Sequence, residues 1–107
     1  MIRFEILQRG QQVTGFRVQG HAGYAESGND IVCAAVSVLV YNAINSCERF
    51  AGTTLDVSDA GDVLACRLPS QPSEAVRLLM NSLFYGIEQI AEQYPEFVRL
   101  RAVQAER

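Results

Sequence analysis

The sequence has no lysine, no tryptophan and only one histidine in 107 residues. Its nine cations are therefore all arginines, and its twelve acidic residues give a formal net charge of −3. Sequence-independent binding to nucleic acid needs a basic surface that neutralises phosphates, so this balance predicts no direct nucleic-acid partner. The negative charge is compatible with a basic peptide partner that is attracted electrostatically.

Cysteine is also scarce: Cys33, Cys47 and Cys66 are widely spaced, and there is no CxxC pair. Three distant cysteines make neither a disulfide framework nor a zinc site, so we expect free thiols, no metal and no cofactor. Residues 1–5 have the pattern of a strand rather than of a signal peptide. The apolar run 31–44 is interrupted by polar residues and is shorter than the roughly 18 residues of a membrane span. These features predict a cytoplasmic protein.

Hydrophobic periodicity predicts seven elements in the order β-β-α-β-β-α-β within one domain, residues 1–107. The fold class is α+β, with a mainly antiparallel sheet and two long helices gathered on one face. The first half of the first helix is apolar on all sides, which predicts a helix enclosed by its surroundings. The strands are expected over 2–7, 13–19, 53–57, 62–68 and 97–103, and the helices over 31–51 and 73–94.

The candidate chemistry lies where the second strand leads into the first helix. If Asp30 is the N-cap, Cys33 lies in the first turn, where the helix dipole favours thiolate over thiol. His21 ends the preceding strand, and a loop that folds back would bring its imidazole to the sulfur. Backbone N–H groups of the first turn are candidate oxyanion donors.

Two further residues, Ser37 and Asp30, each have more than one interpretation. Ser37 lies one turn after Cys33, where it would bond the sulfur, bind substrate or simply allow close helix packing. Asp30 would either orient His21 as a third catalytic residue or serve only as the helix cap. Taken without their context, Cys33 is also compatible with a buried structural thiol and His21 with a surface residue.

The motif has two parts, GHA at 20–22 and GNDIVCAAVS at 28–37. The pattern G-H-A followed by G-x-D-I-V-C-A-x-x-S resembles the signature of the ribosomal-processing cysteine proteases, the Prp family. The resemblance extends over the whole chain in length and element order. It implies a cytoplasmic, homodimeric endopeptidase that removes the N-terminal extension of large-subunit ribosomal protein L twenty-seven.

The resemblance also assigns roles to residues. It implies that Cys33 is the nucleophile and His21 the general base and acid, with Asp30 and Ser37 as supporting motif residues. The segment between His21 and Cys33 is expected to move over the bound peptide, and Gly23 and Gly28 would permit that movement. The mature part of a ribosomal protein is basic, which suits an acidic enzyme, and the candidate contacts are Glu26, Asp30, Asp59 and Asp62.

Two other functions compete with the protease interpretation. The first is a non-catalytic, ribosome-associated module that uses the same loop to bind a peptide. The second is a redox-sensing thiol protein, which would need a resolving cysteine near Cys33. Cys47 lies fourteen residues further along the same helix, on the order of 20 Å away and too far for a disulfide.

Overall fold

The predicted order of elements is the order found in the structure, a computed structural model that describes residues 1–23, 25–26 and 30–104. The strand and helix boundaries agree with the expected ones to within a few residues. Strand β4 is the most shortened, and β3 begins three residues later than expected, because residues 53–55 connect it to the preceding helix. The elements are β1 Ile2–Arg9, β2 Gln12–Gln19, α1 Ile31–Ala51, β3 Asp56–Asp59, β4 Val63–Arg67, α2 Glu74–Gln93 and β5 Val98–Gln104.

The five strands form one sheet in the order β3-β4-β2-β1-β5. Three pairings are antiparallel, as expected, but β5 runs parallel to β1, with Ile2 opposite Val98. The sheet is therefore mixed rather than wholly antiparallel. The reason is that β5 follows a helix and not a tight turn, so no hairpin fixes its direction.

The two helices cover one face of the sheet, which we call the covered face. At its centre, the rings of Phe4 and Phe16 stack with centroids 5.3 Å apart, and Phe84 of α2 meets both edge-on. Phe4 and Phe16 are fully buried, so this aromatic cluster anchors the helices to the sheet. Other buried residues of the same core are Ile2, Val32, Val36, Val40, Cys47, Cys66, Val76, Met80, Leu83, Ile87 and Val98.

The opposite face of the sheet carries no helix, and we call it the open face. Register places on it the residues that alternate with the core positions: Arg3, Glu5, Leu7, Gly15, Arg17, Gln19, Asp56, Ser58, Val63, Ala65, Arg67, Arg99, Arg101 and Val103. Only Glu5 is a buried charge here, at 3 % exposure. Its carboxylate accepts hydrogen bonds from Arg17 and Arg101 on the two neighbouring strands, and these guanidinium groups lower its pKa.

Helix α1 is not enclosed by its surroundings, so that expectation is wrong. One stripe is buried, while Val38 is 67 % and Phe50 is 75 % exposed. The helix has two covered sides at most, because the domain provides only the sheet below it and α2 beside it. On α2, Leu78 and Tyr85 are also exposed. We call the exposed apolar residues Ile31, Val38, Leu78 and Tyr85 the outer helix face.

Helix α1 covers the 31–51 range that the sequence predicts. At 21 residues it is long and apolar enough, by length and composition alone, to cross a membrane, and 28 % of its most apolar window is buried. The neutral polar residues Ser37 and Asn42 do not lower its hydropathy enough to exclude it by that test, as the interrupted run 31–44 had suggested. In the fold, α1 contributes Val32, Val36 and Val40 to the common core, the position of a core helix.

Candidate active site

Asp30 is the N-cap of α1, as the sequence predicts. Its backbone is extended, with φ −83° and ψ 98°, and its Oδ1 accepts hydrogen bonds from the N–H groups of Val32 and Cys33 at 3.0 Å each. The cap fixes the first helical turn and thereby the position of the cysteine. It also engages two of the first-turn N–H groups, so these are not available as the oxyanion donors that we expected.

The thiol of Cys33 contacts the chain that precedes the loop. Cys33 is partly buried, and its Sγ accepts a hydrogen bond from the Ala22 N–H at 3.3 Å. Ala22 is itself 4 % exposed, so this donor is held in place by packing. The helix cap and this backbone N–H together fix the position of the sulfur.

His21 projects from the end of β2 into solvent, with its side chain 79 % exposed. Its backbone is anchored, because the α-ammonium group of Met1 donates to the His21 carbonyl. The preceding Gly20 has φ +89°, and a Cβ at this position would lie 2.4 Å from the Met1 carbonyl oxygen. Only glycine fits this turn without strain, so Gly20 fixes the direction in which the histidine leaves the strand.

The charged neighbour of His21 is Asp62 and not Asp30. The His21 Nε2 lies 3.5 Å from Asp62 Oδ1, and the Gly20 N–H donates to the Asp62 carbonyl at 3.2 Å. The sequence analysis named Asp62 only as a possible substrate contact. The missing signal was the pairing of β2 with β4, which sets Gln19 opposite Val63 and so brings residue 62 to the end of β2.

Two clefts meet at the candidate residues. One runs between α1 and the β3–β4 turn and is lined by His21, Cys33, Ser37, Tyr41, Asp59 and Asp62, among others. The other lies on the loop side and is lined by His21, Gly23, Ala25, Asp30, Cys33, Ala34 and Ser37. His21, Cys33 and Ser37 belong to both clefts. The structure therefore brings together His21, Cys33 and Ser37, three of the motif residues that the sequence singled out.

The remaining predicted site residues are Asp30, Gly23 and Gly28, and they do not all lie where the sequence analysis placed them in function. Asp30 lines the second cleft with His21, but its Oδ1 is committed to the helix cap. Gly23 has φ +70°, a left-handed conformation that favours glycine. Gly28 lies outside the described residues.

Tyr41 is a cleft residue that the sequence analysis missed. It lies four residues after Ser37 and eight after Cys33, so all three form one stripe on α1. Its hydroxyl donates to Asp59 Oδ2 at 3.0 Å. This hydrogen bond to a carboxylate raises the pKa of Tyr41. Extending the four-residue spacing from the cysteine would have identified this position.

The other two cysteines are core thiols, as expected. Cys47 and Cys66 are 0 % and 2 % exposed. Burial raises the pKa of both thiols, and that of Cys66 reaches about 12. Neither is a nucleophile at neutral pH. Within residues 1–23, 25–26 and 30–104, no three His, Cys, Asp or Glu side chains are grouped to hold a metal ion.

A partly exposed cysteine at a helix start, sharing its cleft with a histidine, is the arrangement of a cysteine hydrolase. The model of the family described as cysteine protease Prp matches residues 1–99. The chain therefore belongs to the Prp family and is a ribosomal processing cysteine protease.

Relatives and solved structures agree with this assignment. A Bacillus subtilis protein named ribosomal processing cysteine protease Prp is 29 % identical over 94 residues, which cover 82 % of this chain and 84 % of the relative. A crystal structure of a Streptococcus mutans protein superposes with a TM-score of 0.84 at 33 % sequence identity. The match covers 98 % of this chain and 96 % of the S. mutans chain. The crystal structure of the S. aureus ribosomal processing protease Prp with a covalently linked product peptide has a TM-score of 0.88 at 26 % sequence identity. That match covers 96 % of this chain and 100 % of the S. aureus chain.

Proposed function

We propose that this protease removes the N-terminal extension of ribosomal protein L twenty-seven, with Cys33 as nucleophile and His21 as general base and acid. The observation that carries the proposal is the hydrogen bond from the Ala22 N–H to the Cys33 sulfur. This hydrogen bond holds Ala22, the residue next to His21, against the thiol of Cys33. His21 and Cys33 both line the two clefts that meet at this point. The bound product peptide of the S. aureus relative supports a peptide substrate.

The reaction follows from this arrangement. His21 takes the proton of Cys33, and the thiolate attacks the carbonyl carbon of the scissile peptide bond. The tetrahedral intermediate collapses as the imidazolium of His21 protonates the leaving amine, which frees the new N-terminus and leaves a thioester on Cys33. His21 then removes a proton from water, whose oxygen attacks the thioester and releases the carboxylate product and the thiol.

Asp62 is the group that orients the histidine in this proposal. Its carboxylate faces Nε2 of His21, and both side chains are more than three quarters exposed. Water and salt screen such a pair, so Asp62 contributes modestly to the rate. In the proposal, Asp30 supports catalysis through the cap that places Cys33, and Ser37 contacts substrate where the clefts meet.

The cleft also favours a basic substrate. Asp59 and Asp62 lie on its β3–β4 side, with Tyr41 opposite Asp59 on α1. Two carboxylates on one wall attract arginine and lysine side chains of a passing peptide. Gly23 and Gly28 flank the segment that would close over the bound peptide.

The same proposal includes a homodimer in the cytoplasm. The outer helix face presents Ile31, Val38, Leu78 and Tyr85 to solvent, each more than half exposed. Apolar residues grouped on one side of a domain are typical of an oligomer interface. A second copy of the chain is the occupant that the family resemblance implies, and a self-complementary contact of two helix pairs would cover the face.

Cleavage of a peptide that spans the extension junction, followed by mass spectrometry, tests the activity. We expect one cleaved bond with wild-type protein and with Cys47→Ala, and none with Cys33→Ala or His21→Ala. Cleavage that survives Cys33→Ala would refute the nucleophile. A folded wild type that binds the peptide without cutting it would favour the non-catalytic binding module.

Light scattering after gel filtration tests the dimer separately. Val38→Glu should shift a dimer toward monomer, because two carboxylates would meet an apolar surface. The change Gln71→Glu, at an exposed position in the loop before α2 and off the outer helix face, controls for added charge alone. A wild type that is monomeric at high concentration would contradict the dimer and leave the protease proposal untouched.

A further inference from the structure

The open face of the sheet concentrates positive charge in an acidic protein. Five of the nine arginines lie on its paired rows, with two of the twelve carboxylates, and Arg9 lines the same surface beside Leu7 and Arg67. The rest of the chain thus has three arginines and ten carboxylates. The net charge of −3 hides this separation, because it averages two surfaces of opposite sign.

Both carboxylates of the open face are already paired. Glu5 accepts hydrogen bonds from Arg17 and Arg101, and Asp56 pairs with Arg67 at 2.8 Å. The guanidinium groups remain accessible, since the side chains of Arg17, Arg101 and Arg67 are 41 %, 65 % and 78 % exposed. These three arginines can still approach an anion from the solvent side.

Arg3 and Arg99 form no ion pair in the structure, as far as residues 1–23, 25–26 and 30–104 are described. They are register partners on the adjacent strands β1 and β5. Like charges directly opposite each other destabilise a sheet. Their row continues across β2 and β4 with Gln19 and Val63, so it contains no carboxylate. Among the described residues, the fold therefore keeps two facing cations without a carboxylate partner, which an external anion would neutralise.

We propose that the open face binds RNA through its phosphate backbone, independently of sequence. The arginine positions are about 5 Å apart across strands and about 7 Å apart along them, a two-dimensional array suited to a polyanion. Guanidinium groups bind phosphate through paired hydrogen bonds. None of the open-face residues is aromatic, so base stacking does not contribute to binding. The surface would therefore contact only the sugar-phosphate backbone of the RNA.

An acidic protein or an anionic membrane fits this surface less well. Protein interfaces have an apolar or aromatic centre, whereas the centre of this face is the Glu5 ion-pair cluster. A peripheral membrane site inserts apolar side chains from an amphipathic helix. Here apolar residues such as Leu7 and Val103 are partly buried, and they lie on strands and not on an amphipathic helix.

The location of the face separates RNA binding from peptide cleavage. The cleft shared by His21 and Cys33 is lined by covered-face residues such as Ile2, Val18 and Leu64. The open face is on the other side of the same sheet. An RNA held there leaves the cleft accessible, so the surface would anchor the enzyme without blocking its substrate.

The test measures binding of a fluorescein-labelled 16-base-pair RNA hairpin by anisotropy between 50 and 300 mM KCl. The double variant Arg3→Gln/Arg99→Gln removes the two unpaired cations and spares the Glu5 cluster. Each lost phosphate contact on a duplex should weaken binding roughly eightfold at 0.1 M salt, or about 60-fold for the pair, and reduce the salt slope by about 1.8. The matched control, Arg49→Gln/Arg77→Gln, removes two exposed helix arginines and should leave affinity within about threefold.

Several outcomes would overturn the proposal. These are no RNA binding by wild type at 50 mM KCl, equal losses in the two double variants, or tighter binding to polyglutamate or to phosphatidylserine-containing vesicles than to RNA. Thermal denaturation checks that both variants are folded. Cleavage of the junction peptide should be unchanged in Arg3→Gln/Arg99→Gln, so failure of RNA binding and failure of the proposed protease mechanism are distinguishable.

Discussion

The two faces of this sheet are built from alternating residues of the same strands, yet they serve opposite purposes. On β1, Phe4 points to the covered face and is fully buried, while its neighbour Arg3 points to the open face and is exposed. The covered face excludes water with aromatic rings and two helices. The open face has one buried charge, Glu5, which is shielded by the arginines on either side of it.

The difference shows how a domain of this size divides stability and function. The covered face supplies the apolar burial that drives folding, and the proposed catalytic residues lie at its rim, where α1 begins and β2 ends. The open face contributes little burial and is free to carry charge. Each prediction below tests one side of this division against the other.

The largest expected difference is in thiol reactivity. Cys66 lies on the covered face, where burial raises its pKa to about 12, so only a few molecules in 10⁵ are thiolate at pH 7.5. Cys33 at the rim is partly exposed and bonded by a backbone N–H. Iodoacetamide should alkylate Cys33 at least about 10³-fold faster than Cys66. Peptide mapping of the native protein measures both rates, with urea-unfolded protein as the control in which all three cysteines react.

The next largest effect concerns the buried charge of the open face. Glu5→Gln should lower the free energy of unfolding by about 1–3 kcal/mol at pH 7, because two arginines lose a charged acceptor. The folded-state pKa of Glu5 lies below its ordinary value of 4.5. Its stabilisation is therefore present above pH 4.5 and is lost as the pH falls through the folded-state pKa.

Urea denaturation from pH 7 to pH 3 measures this dependence. Wild type and Glu5→Gln should differ most at neutral pH and converge in acid, where Glu5 is protonated. A constant difference at all pH values would mean that the effect is steric and not ionic. Glu74→Gln, an exposed change at the start of α2, serves as the control for loss of a carboxylate.

A smaller effect is expected from the aromatic cluster. Phe4→Leu should cost about 1–2 kcal/mol, since it removes a stacked ring and leaves a small cavity. Arg3→Leu, one residue away on the open face, should change stability by no more than about 0.5 kcal/mol. Equal costs in urea denaturation would refute the distinction between the two faces.

Local sequence patterns were sufficient for the elements and for the start of α1. Alternation predicts β1 and β2, three- and four-residue spacing predicts α2, and Asp30 before an apolar run predicts the cap that places Cys33. These signals act over a few residues, which is why they can be recognised in a single sequence. The order of elements and the first-turn cysteine were confirmed for that reason.

The pairing of strands that are far apart in the chain could not be predicted from the sequence. The parallel contact of β5 with β1 and the contact of β2 with β4 join segments far apart in the chain, and no local period encodes them. Asp62 beside His21 depends on the second of these pairings. The exposure of α1 was missed for a related reason, because apolar periodicity indicates that a face will be covered but not which molecule covers it.

The smallest predicted effect is at the rim itself, where both partners are exposed. Asp62→Asn should reduce kcat for junction-peptide cleavage about three- to tenfold, with KM little changed, because the carboxylate positions His21 and screening limits its strength. Asp62→Glu should restore part of the rate. Asp59→Asn, on the same cleft wall but paired with Tyr41, should instead raise KM for basic peptides. If Asp62→Asn raised only KM, Asp62 would be a substrate-binding residue, and the orientation of His21 would depend on the Gly20 turn and the Met1 anchor alone.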